Sequence, residues 1–442
     1  MSSEIAAVVM AAGLGTRMRS ATPKHFHPLL GQRMVDWVIA ATRELGPNRL
    51  VVVTSPEGAS AYDGIEVAVQ DQPRGTGDAA AAARSALDGF DGAILIVPGD
   101  APLLTGSILN DLVAAHGNAG ADVTLLSFEP PFSLPYGRVV RDDQGEVLRI
   151  VEEKDAGSEE RAIRELNASL YVFQAGPLWQ ALERLDPDNA QGELYLTDAV
   201  AHVVADGGTA TAHRVDGDPN TFVGVNTRAD LARSLAVLRD RINERHMVAG
   251  VTIADPASTW IDASVELEPD AAVHPFSVLR GHTKIAAGAE IGPHAVVADA
   301  DIGRDALVGP FCYLRPGTVL AAGAKAGTFV EIKNTRVGER SKVPHLSYLG
   351  DAEVGDDTNV GAGGITANFS HDPKQPKQRT KIGKHVRTAV HNVFVAPVEI
   401  GDDSWTAAGS VITEDVPAGS LAGFPPRQVN KEGYVRARRG DD

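Results

Sequence analysis

The stretch from Ile285 to Ile332 decides how this chain is read: its aliphatic residues fall at Ile285, Ile291, Ile302, Val308, Leu314, Leu320, Ala326 and Ile332. After a slip between Ile291 and Ile302 they recur every six residues, and glycine follows at Ile291-Gly292, Ile302-Gly303 and Val308-Gly309. This period is neither that of an α-helix nor that of an alternating strand. A left-handed parallel β-helix has triangular coils, and each flat side turns one aliphatic residue inward per six, so the spacing predicts hexapeptide repeats of that fold. The beat returns at Val337, Val343 and Leu349, at Val354 and Val360, and at Ile400, Thr406 and Ile412. A sandwich of short strands would need Asn-Gly or Asp-Gly turns at strand spacing, whereas the breaks here stay in register with the hexads. One coil cannot bury its own edge, so coils must stack. The narrow prism they form exposes much surface for its volume, which predicts an oligomer, with clefts between three adjacent prisms where two chains share a site.

The chain has 442 residues, room for more than one domain, and a formal net charge of −17, which argues against nucleic acid as a partner. Anionic small molecules would have to be met by local clusters of Lys and Arg. Cys312 is the only cysteine, which excludes an intrachain disulfide and thiolate zinc sites and suits a reducing cytosol. The thirteen histidines are scattered and suggest no metal cluster. The start, Ser2-Ser3-Glu4 and then Ile5 to Met10, has neither a basic leader nor an apolar run long enough to span a bilayer. A cytoplasmic protein with no membrane partner is expected.

The amino-terminal half has a different rhythm. Ile5 to Ala12 is an apolar run leading into Gly13-Leu14-Gly15-Thr16-Arg17-Met18. A buried strand entering a glycine-rich turn at a helix start is how α/β folds hold phosphates, since backbone N–H groups without a Cβ in the way can approach an anion. Neither the dinucleotide fingerprint nor a P-loop is present, because position 18 is Met and no Gly-Lys-Ser/Thr follows. Arg17 and Thr22-Pro23-Lys24 add two cations suited to a polyphosphate. Strands are expected at Leu50 to Thr54, Glu66 to Gln70, Ile94 to Val97 and Val123 to Ser127. Helices are expected at Val35 to Leu45, Asp78 to Leu87 and Ile108 to Ala115, giving a mostly parallel, Rossmann-like sheet. Asp100 follows one of these strands, where a carboxylate can take a divalent cation bridging phosphates; the alternative is a helix cap near Thr105.

Ala11-Ala12-Gly13-Leu14-Gly15-Thr16-Arg17-Met18 with Pro23-Lys24 resembles the opening motif of the sugar nucleotidyltransferases. Gln70, Gly75-Thr76-Gly77, Gly99-Asp100, Tyr136-Gly137-Arg138, Ile150 to Asp155, Leu166-Asn167-Ala168, Gly224-Val225-Asn226 and above all Asn189 to Asp198 narrow the match. They resemble the bacterial bifunctional N-acetylglucosamine-1-phosphate uridyltransferase/glucosamine-1-phosphate acetyltransferase family, which joins a nucleotidyltransferase domain to a left-handed β-helix. The resemblance implies that Ala12, Gly13, Gln70, Gly75 and Thr76 hold the uridine of UTP and that Arg17 and Lys24 act on its phosphates. Asp100 and Asn226 would bind Mg²⁺, and Gly137, Glu152, Asn167 and Asn226 would meet N-acetylglucosamine-1-phosphate. Pro98 stands where the family often has an aromatic or polar residue that touches the sugar.

Between the halves, Leu231, Leu235, Leu238 and Ile242 recur at helical spacing, so 228–247 is expected as a linker helix between a domain at 1–227 and a β-helix at 248–425, with a solvated tail at 426–442. In the β-helix the resemblance assigns Arg315, Lys333, Tyr348 and Asn359 to glucosamine-1-phosphate and makes His345 the base that takes a proton from the attacking amine. Ala362, Asn368, Phe369, Val390 and Ala408 fall to acetyl-CoA. A lone His345 would more often be structural; its neighbours give it this role. The family's Asn-Tyr-Asp-Gly is here Asn368-Phe369-Ser370-His371-Asp372 in a longer loop, Ala389-Val390-His391 replaces Gly-Ser-Asp, and Pro425 replaces an arginine with Arg427 nearby. These departures leave open a uridyltransferase whose β-helix only joins chains, in a homotrimer, or acylates another amino sugar.

Overall fold

A computed structural model describes residues 4–13, 15–369, 372, 374, 376–423 and 428–439. Two compact units divide the chain, Met1–Leu238 and Arg239–Asp442.

In the first unit the strand Ile5–Ala11 lies between Arg49–Thr54 and Ala93–Pro98, parallel to both, and Glu66–Val69 extends the parallel run at the edge. Alternate residues of a strand face opposite sides of a sheet. Here both sides are covered: Ala6 and Val8 join one apolar cluster while Ala7, Val9 and Ala11 join another. That is why the sequence reads as a continuous apolar run rather than an alternating one. The helices Met34–Glu44, Thr76–Ala82 and Gly106–Ala119 lie near the expected positions, the second continuing as a 3-10 turn at Ser85–Leu87. The sheet is less uniform than its first half suggests. Leu166–Gln174 runs antiparallel between Ala93–Pro98 and Val123–Phe128, and Val123–Phe128 pairs in parallel with Ala210–Val215.

The second unit is a parallel β-helix. Its strands form three sheets: one through Thr252–Ile253, Leu307–Val308 and Lys342–His345; one through Trp260–Ile261, Glu331–Lys333 and Val411–Ile412; one through Glu266–Leu267, Arg336–Val337 and Val398–Ile400. Every strand pairing in it among the described residues is parallel. Successive coils stack in register, Leu307 on Lys325 and Lys325 on Lys342, and the hexad residues Ile285, Ile291, Val308, Leu314 and Ile332 are all buried. The slip in the repeat has a simple cause. Val297 fills the inward position between Ile291 and Ile302, so the side from 297 to 302 is one residue short. The larger gap follows Thr366: the coil resumes at Thr380–Ile382, where Ile382 is buried.

The helix Arg228–Val248 crosses the division between the units. Leu231, Leu238 and Ile242 are buried, as helical spacing requires, and Leu235 is half-buried. Its last turns are fixed to the first coils of the β-helix. Asn243 Nδ2 donates to the carbonyls of Pro256 (2.9 Å) and Thr259 (3.0 Å), and the Arg239 guanidinium lies 5.0 Å over the Trp260 ring. His246 is buried in this packing and its Nε2 has no hydrogen-bond partner among the described residues. Burial, helped by the charge of Arg245, lowers its pKa from 6.5 to about 4. As the pH falls from 6.5 towards 4 the unfolded chain therefore takes up a proton that the folded chain refuses, so stability is full above pH 6.5 and falls below it. About 3 kcal/mol is at stake across that window. His246→Leu is expected to reduce the loss of melting temperature between pH 7 and pH 5; an unchanged loss in thermal scans would remove His246 as the cause.

Candidate active sites

The first candidate site lies at the carboxyl ends of the parallel strands, where open α/β sheets hold ligands. Gly15, at φ +61°, starts a 3-10 turn at Thr16–Met18. No α-helix begins there, because Arg19 turns left-handed at φ 48° and ends the turn. A helix dipole is thus not the source of positive potential at this loop; side-chain cations are. The Lys24 ammonium makes an ion pair with Asp100 and donates to Asn226 Oδ1 at 3.0 Å, and Arg17 Nη2 donates to the same oxygen at 2.9 Å. Asp100 caps no helix, since Thr105 Oγ1 accepts from Ile108 N and does so itself. Burial pushes the Asp100 pKa up, but the charge and hydrogen bond of Lys24, joined by His25 only when that imidazole is protonated, outweigh it and hold the carboxyl below its usual range. Gly224 has no side chain to obstruct Asp100, and a Cβ there would lie 2.9 Å from Asp100 Oδ1.

Ala12, Gly13, Gln70, Gly75 and Thr76 all line one cleft of about 370 Å³, together with Lys24 and Asp100. The Asn189 to Asp198 block forms part of its support. Leu194 N donates to Arg74 O (2.7 Å), Gly77 N donates to Leu194 O (2.8 Å), and Thr76 Oγ1 accepts from Leu196 N (3.0 Å). Gly75, at φ +125°, is required here, because a Cβ would lie 2.7 Å from Leu194 N. Gln70 commits its Nε2 to Gly75 O (3.1 Å) and Asp78 Oδ2 (2.8 Å), leaving Oε1 to accept from a ligand.

Gly137, Glu152 and Asn167 also come together. Gly137 O accepts from Asn167 N at 2.9 Å, and a Cβ on Gly137 would be 3.7 Å from the Glu152 carboxyl carbon. Burial raises the Glu152 pKa, against the hydrogen bond it accepts from Thr197 Oγ1 (3.1 Å). The Asn167 side chain is occupied internally, donating to Tyr171 Oη (2.6 Å) and accepting from Ser169 N (3.1 Å). Sequence reasoning overlooked His25, which is buried and lines the nucleotide-sized cleft. Burial brings its pKa down to about 4, so the imidazole is neutral. Its position beside Lys24 was the available signal.

The second candidate site is on the β-helix. Arg315 and Lys333 lie on adjacent coils of one sheet, and Arg315 Nη1 pairs with Glu331 Oε1 at 2.7 Å. Lys377, which sequence reasoning left in the insertion loop, returns against Lys333. Contact with Lys377 first, and then the Arg315 charge, lowers the Lys333 pKa. Three cations with one carboxylate partner among the described residues form a place for an anion. Tyr348 belongs to the same sheet, its hydroxyl turned over Gly350.

The remaining residues divide between other parts of the coil. Asn359 bridges to Lys342 in a different sheet, and His345 stands exposed at the corner between that sheet and the one carrying Tyr348. Below His345 the corner is a column: Gly363 N donates to His345 O, His391 N to Ala362 O and Gly409 N to Val390 O. His345, Ala362, Val390 and Ala408 thus stack one per coil. Asn368 and Phe369 lie at the next corner, and Asn368 is beside Tyr348 rather than in that column. Ser370, His371, Pro425 and Arg427 lie outside the described residues. No group of three or more His, Cys, Asp or Glu suited to a metal occurs among the described residues, and no helix among them is long and apolar enough to cross a membrane.

A Rossmann-like unit with a cation-lined cleft, followed by a β-helix, defines a nucleotidyltransferase carrying a hexapeptide-repeat domain, and residues 7–194 match the MobA-like NTP transferase domain. The full chain has close relatives. The bifunctional protein GlmU of Streptomyces coelicolor is 46% identical across 98% of this chain and 94% of its own length, that of Mycolicibacterium vanbaalenii 45% across 99% and 94%, and that of Caldanaerobacter subterraneus 44% across 98% of each. The chain belongs to the bifunctional GlmU family.

Proposed function

We propose that the chain makes UDP-N-acetylglucosamine, a cell-wall precursor, in two steps: acetyl transfer from acetyl-CoA to glucosamine-1-phosphate on the β-helix, then uridylyl transfer from UTP to the N-acetylglucosamine-1-phosphate so formed. The observation that carries the first-unit assignment is the Lys24 ammonium held between Asp100 and Asn226. Both oxygens already reach a single positive charge, which is the fit a divalent cation requires. Mg²⁺ held by Asp100 and Asn226 supplies charge neutralisation on the phosphates of UTP when bound.

In uridylyl transfer a phosphate oxygen of the sugar phosphate attacks the α-phosphorus in line; the new P–O bond forms as the bond to the β-phosphate breaks, and pyrophosphate leaves with the charge. Arg17 and Lys24 meet that charge, so catalysis is positioning plus electrostatics. Ala12, Gly13, Gly75 and Thr76 seat the uridine. The free Gln70 Oε1 accepts from uracil N3–H, which cytosine lacks. Gly137, Glu152 and Asn167 hold the acetylated sugar.

In acetyl transfer the sugar amine attacks the thioester carbonyl. A C–N bond forms, the C–S bond breaks, and His345 takes the amine proton and passes it to the departing sulfur, so that CoA leaves as the thiol. Arg315, Lys333 and Lys377 take the sugar phosphate and Tyr348 a hydroxyl. The column of Ala362, Val390 and Ala408 runs beside the donor. Asn359 lies on a different sheet from Arg315 and Lys333, which favours a site completed by a neighbouring copy in a homotrimer. The corner bearing His345 supports this, because Phe276, His294, Phe311 and Phe329 stack along it at centroid spacings of 4.7, 4.8 and 5.3 Å, with three exposed phenylalanines and then exposed Leu346. An apolar edge of this kind calls for a partner. Phe311→Asp with Phe329→Asp is expected to shift the mass in light scattering towards monomer and to cut CoA release about tenfold or more, with pyrophosphate release retained; an unchanged mass would refute this edge as the contact.

The cytoplasm, where UTP and acetyl-CoA are available, is the expected location. The deciding experiment is a pair of assays on one preparation: pyrophosphate from UTP, Mg²⁺ and N-acetylglucosamine-1-phosphate, and thiol from acetyl-CoA with a panel of amino-sugar phosphates. Release in both with glucosamine-1-phosphate supports the two-step reading. Pyrophosphate without thiol from any acceptor leaves the β-helix as a platform, the reading that the replacements at Phe369 and Val390 favour.

A further inference from the structure

At the corner that follows the Arg315 and Lys333 sheet, three successive coils carry Asn334, Asp351 and Asn368 at equivalent positions. Asp351 is 7% exposed, and each of its oxygens is taken by one amide: Oδ1 accepts from Asn334 Nδ2 at 2.5 Å and Oδ2 accepts from Asn368 Nδ2 at 2.5 Å. A carboxylate can only accept, so it decides which end of each amide faces it. The Asn368 nitrogen is therefore turned towards Asp351. Its Oδ1 points the other way and accepts no hydrogen bond among the described residues. The neighbourhood is the anion site. A Cβ on Gly350 would lie 2.7 Å from both Asn368 Nδ2 and Tyr348 Cζ, so amide and ring converge over that glycine, and the Asp351 charge reaches Lys333.

We propose that Asp351 is a positioning residue for acetyl transfer: it holds Asn368 so that the carboxamide oxygen, and not the NH₂, faces the amino group of the sugar phosphate. The orientation matters because the attacking nitrogen has one lone pair. An oxygen that accepts one of its N–H bonds leaves the lone pair free and aims it at the thioester carbon. A flipped amide would donate into that lone pair and block the attack. Asp351 touches neither substrate; it acts through Asn368.

This role rests on the acetyl-transfer reading. Asp351→Asn offers one amide oxygen where two acceptors stood, which releases Asn368 to rotate. CoA release is expected to fall roughly 10- to 100-fold in kcat, with KM for glucosamine-1-phosphate within about twofold because Arg315, Lys333 and Lys377 are untouched. Pyrophosphate release from the same chain reports that it is folded. Asn334→Ala disturbs the same ladder without freeing Asn368 and is expected to keep kcat within about twofold. In an Asn368→Ala background, Asp351→Asn should cost nothing further. Equal losses from Asn334→Ala and Asp351→Asn, or full additivity with Asn368→Ala, would reduce Asp351 to a structural part and overturn the proposal. Asp351→Asn at the original kcat would overturn it as well while leaving acetyl transfer intact, whereas a starting protein that releases no CoA overturns the acetyl-transfer reading and this role with it.

Discussion

Asp100→Asn is expected to lower pyrophosphate release from UTP and N-acetylglucosamine-1-phosphate by at least about 10³-fold, with CoA release from glucosamine-1-phosphate unchanged. Asp100 is the carboxylate that pairs with Lys24, and Asn226 accepts from both Lys24 and Arg17. Replacing Asp100 by its isosteric amide keeps the shape of the cleft and removes the charge. Two consequences add. The divalent cation loses its anionic ligand, and Lys24 loses the partner that keeps it beside the reacting phosphate. A single preorganised electrostatic contact to a transition state contributes about 3–4 kcal/mol, or 10²- to 10³-fold, and here a metal ligand and a cation's anchor go together. Raising Mg²⁺ should recover little, because the missing element is the ligand and not the metal. The assay is pyrophosphate release at saturating UTP over a Mg²⁺ series. Activity above about a tenth of the original would show that the cation is held elsewhere.

How much of this was legible in the sequence depends on how directly each feature follows from local spacing. The β-helix was legible because each inward aliphatic residue is its own evidence, and even the break at Ile302 proved to be a short side with Val297 inside it. The cleft was legible because its walls are contiguous motifs: Ala12-Gly13, Gly75-Thr76 and the Asn189 to Asp198 block that braces them. The antiparallel insertion of Leu166–Gln174 was hidden, since a strand buried on both faces reads the same in either direction. Lys377 was hidden for another reason. It meets Lys333 from outside the hexad repeat, and no periodicity reports such a contact. The three-dimensional partition of the acyl-transfer residues was also beyond the sequence. Neighbouring positions such as His345 and Tyr348 stand on either side of a corner, and only the stacking of coils reveals that Ala362, Val390 and Ala408 continue the His345 column.

His345→Ala is expected to abolish CoA release, by about 10²- to 10⁴-fold, while leaving pyrophosphate release within about twofold. An amine that attacks a thioester must shed a proton as the C–N bond forms, and imidazole is the side chain suited to receive it near neutral pH. The fold gives His345 no evident structural duty: it is exposed, among the described residues its hydrogen bonds are those its main-chain carbonyl accepts from Ser347 Oγ at 2.7 Å and Gly363 N at 3.3 Å, and alanine preserves both of those bonds. Loss of the imidazole should therefore leave melting temperature and oligomeric mass unchanged, which separates chemistry from folding. His345→Gln sharpens the test, since it keeps hydrogen-bonding capacity and removes proton transfer; it should be as inactive as alanine if the proton is the point. The nucleotidyltransferase cleft belongs to the other compact unit, so one preparation carries its own control. Equal loss of both activities would contradict two independent sites. Substantial CoA release by His345→Gln would make the side chain an orienting group, and the amine proton would then have to leave by another route.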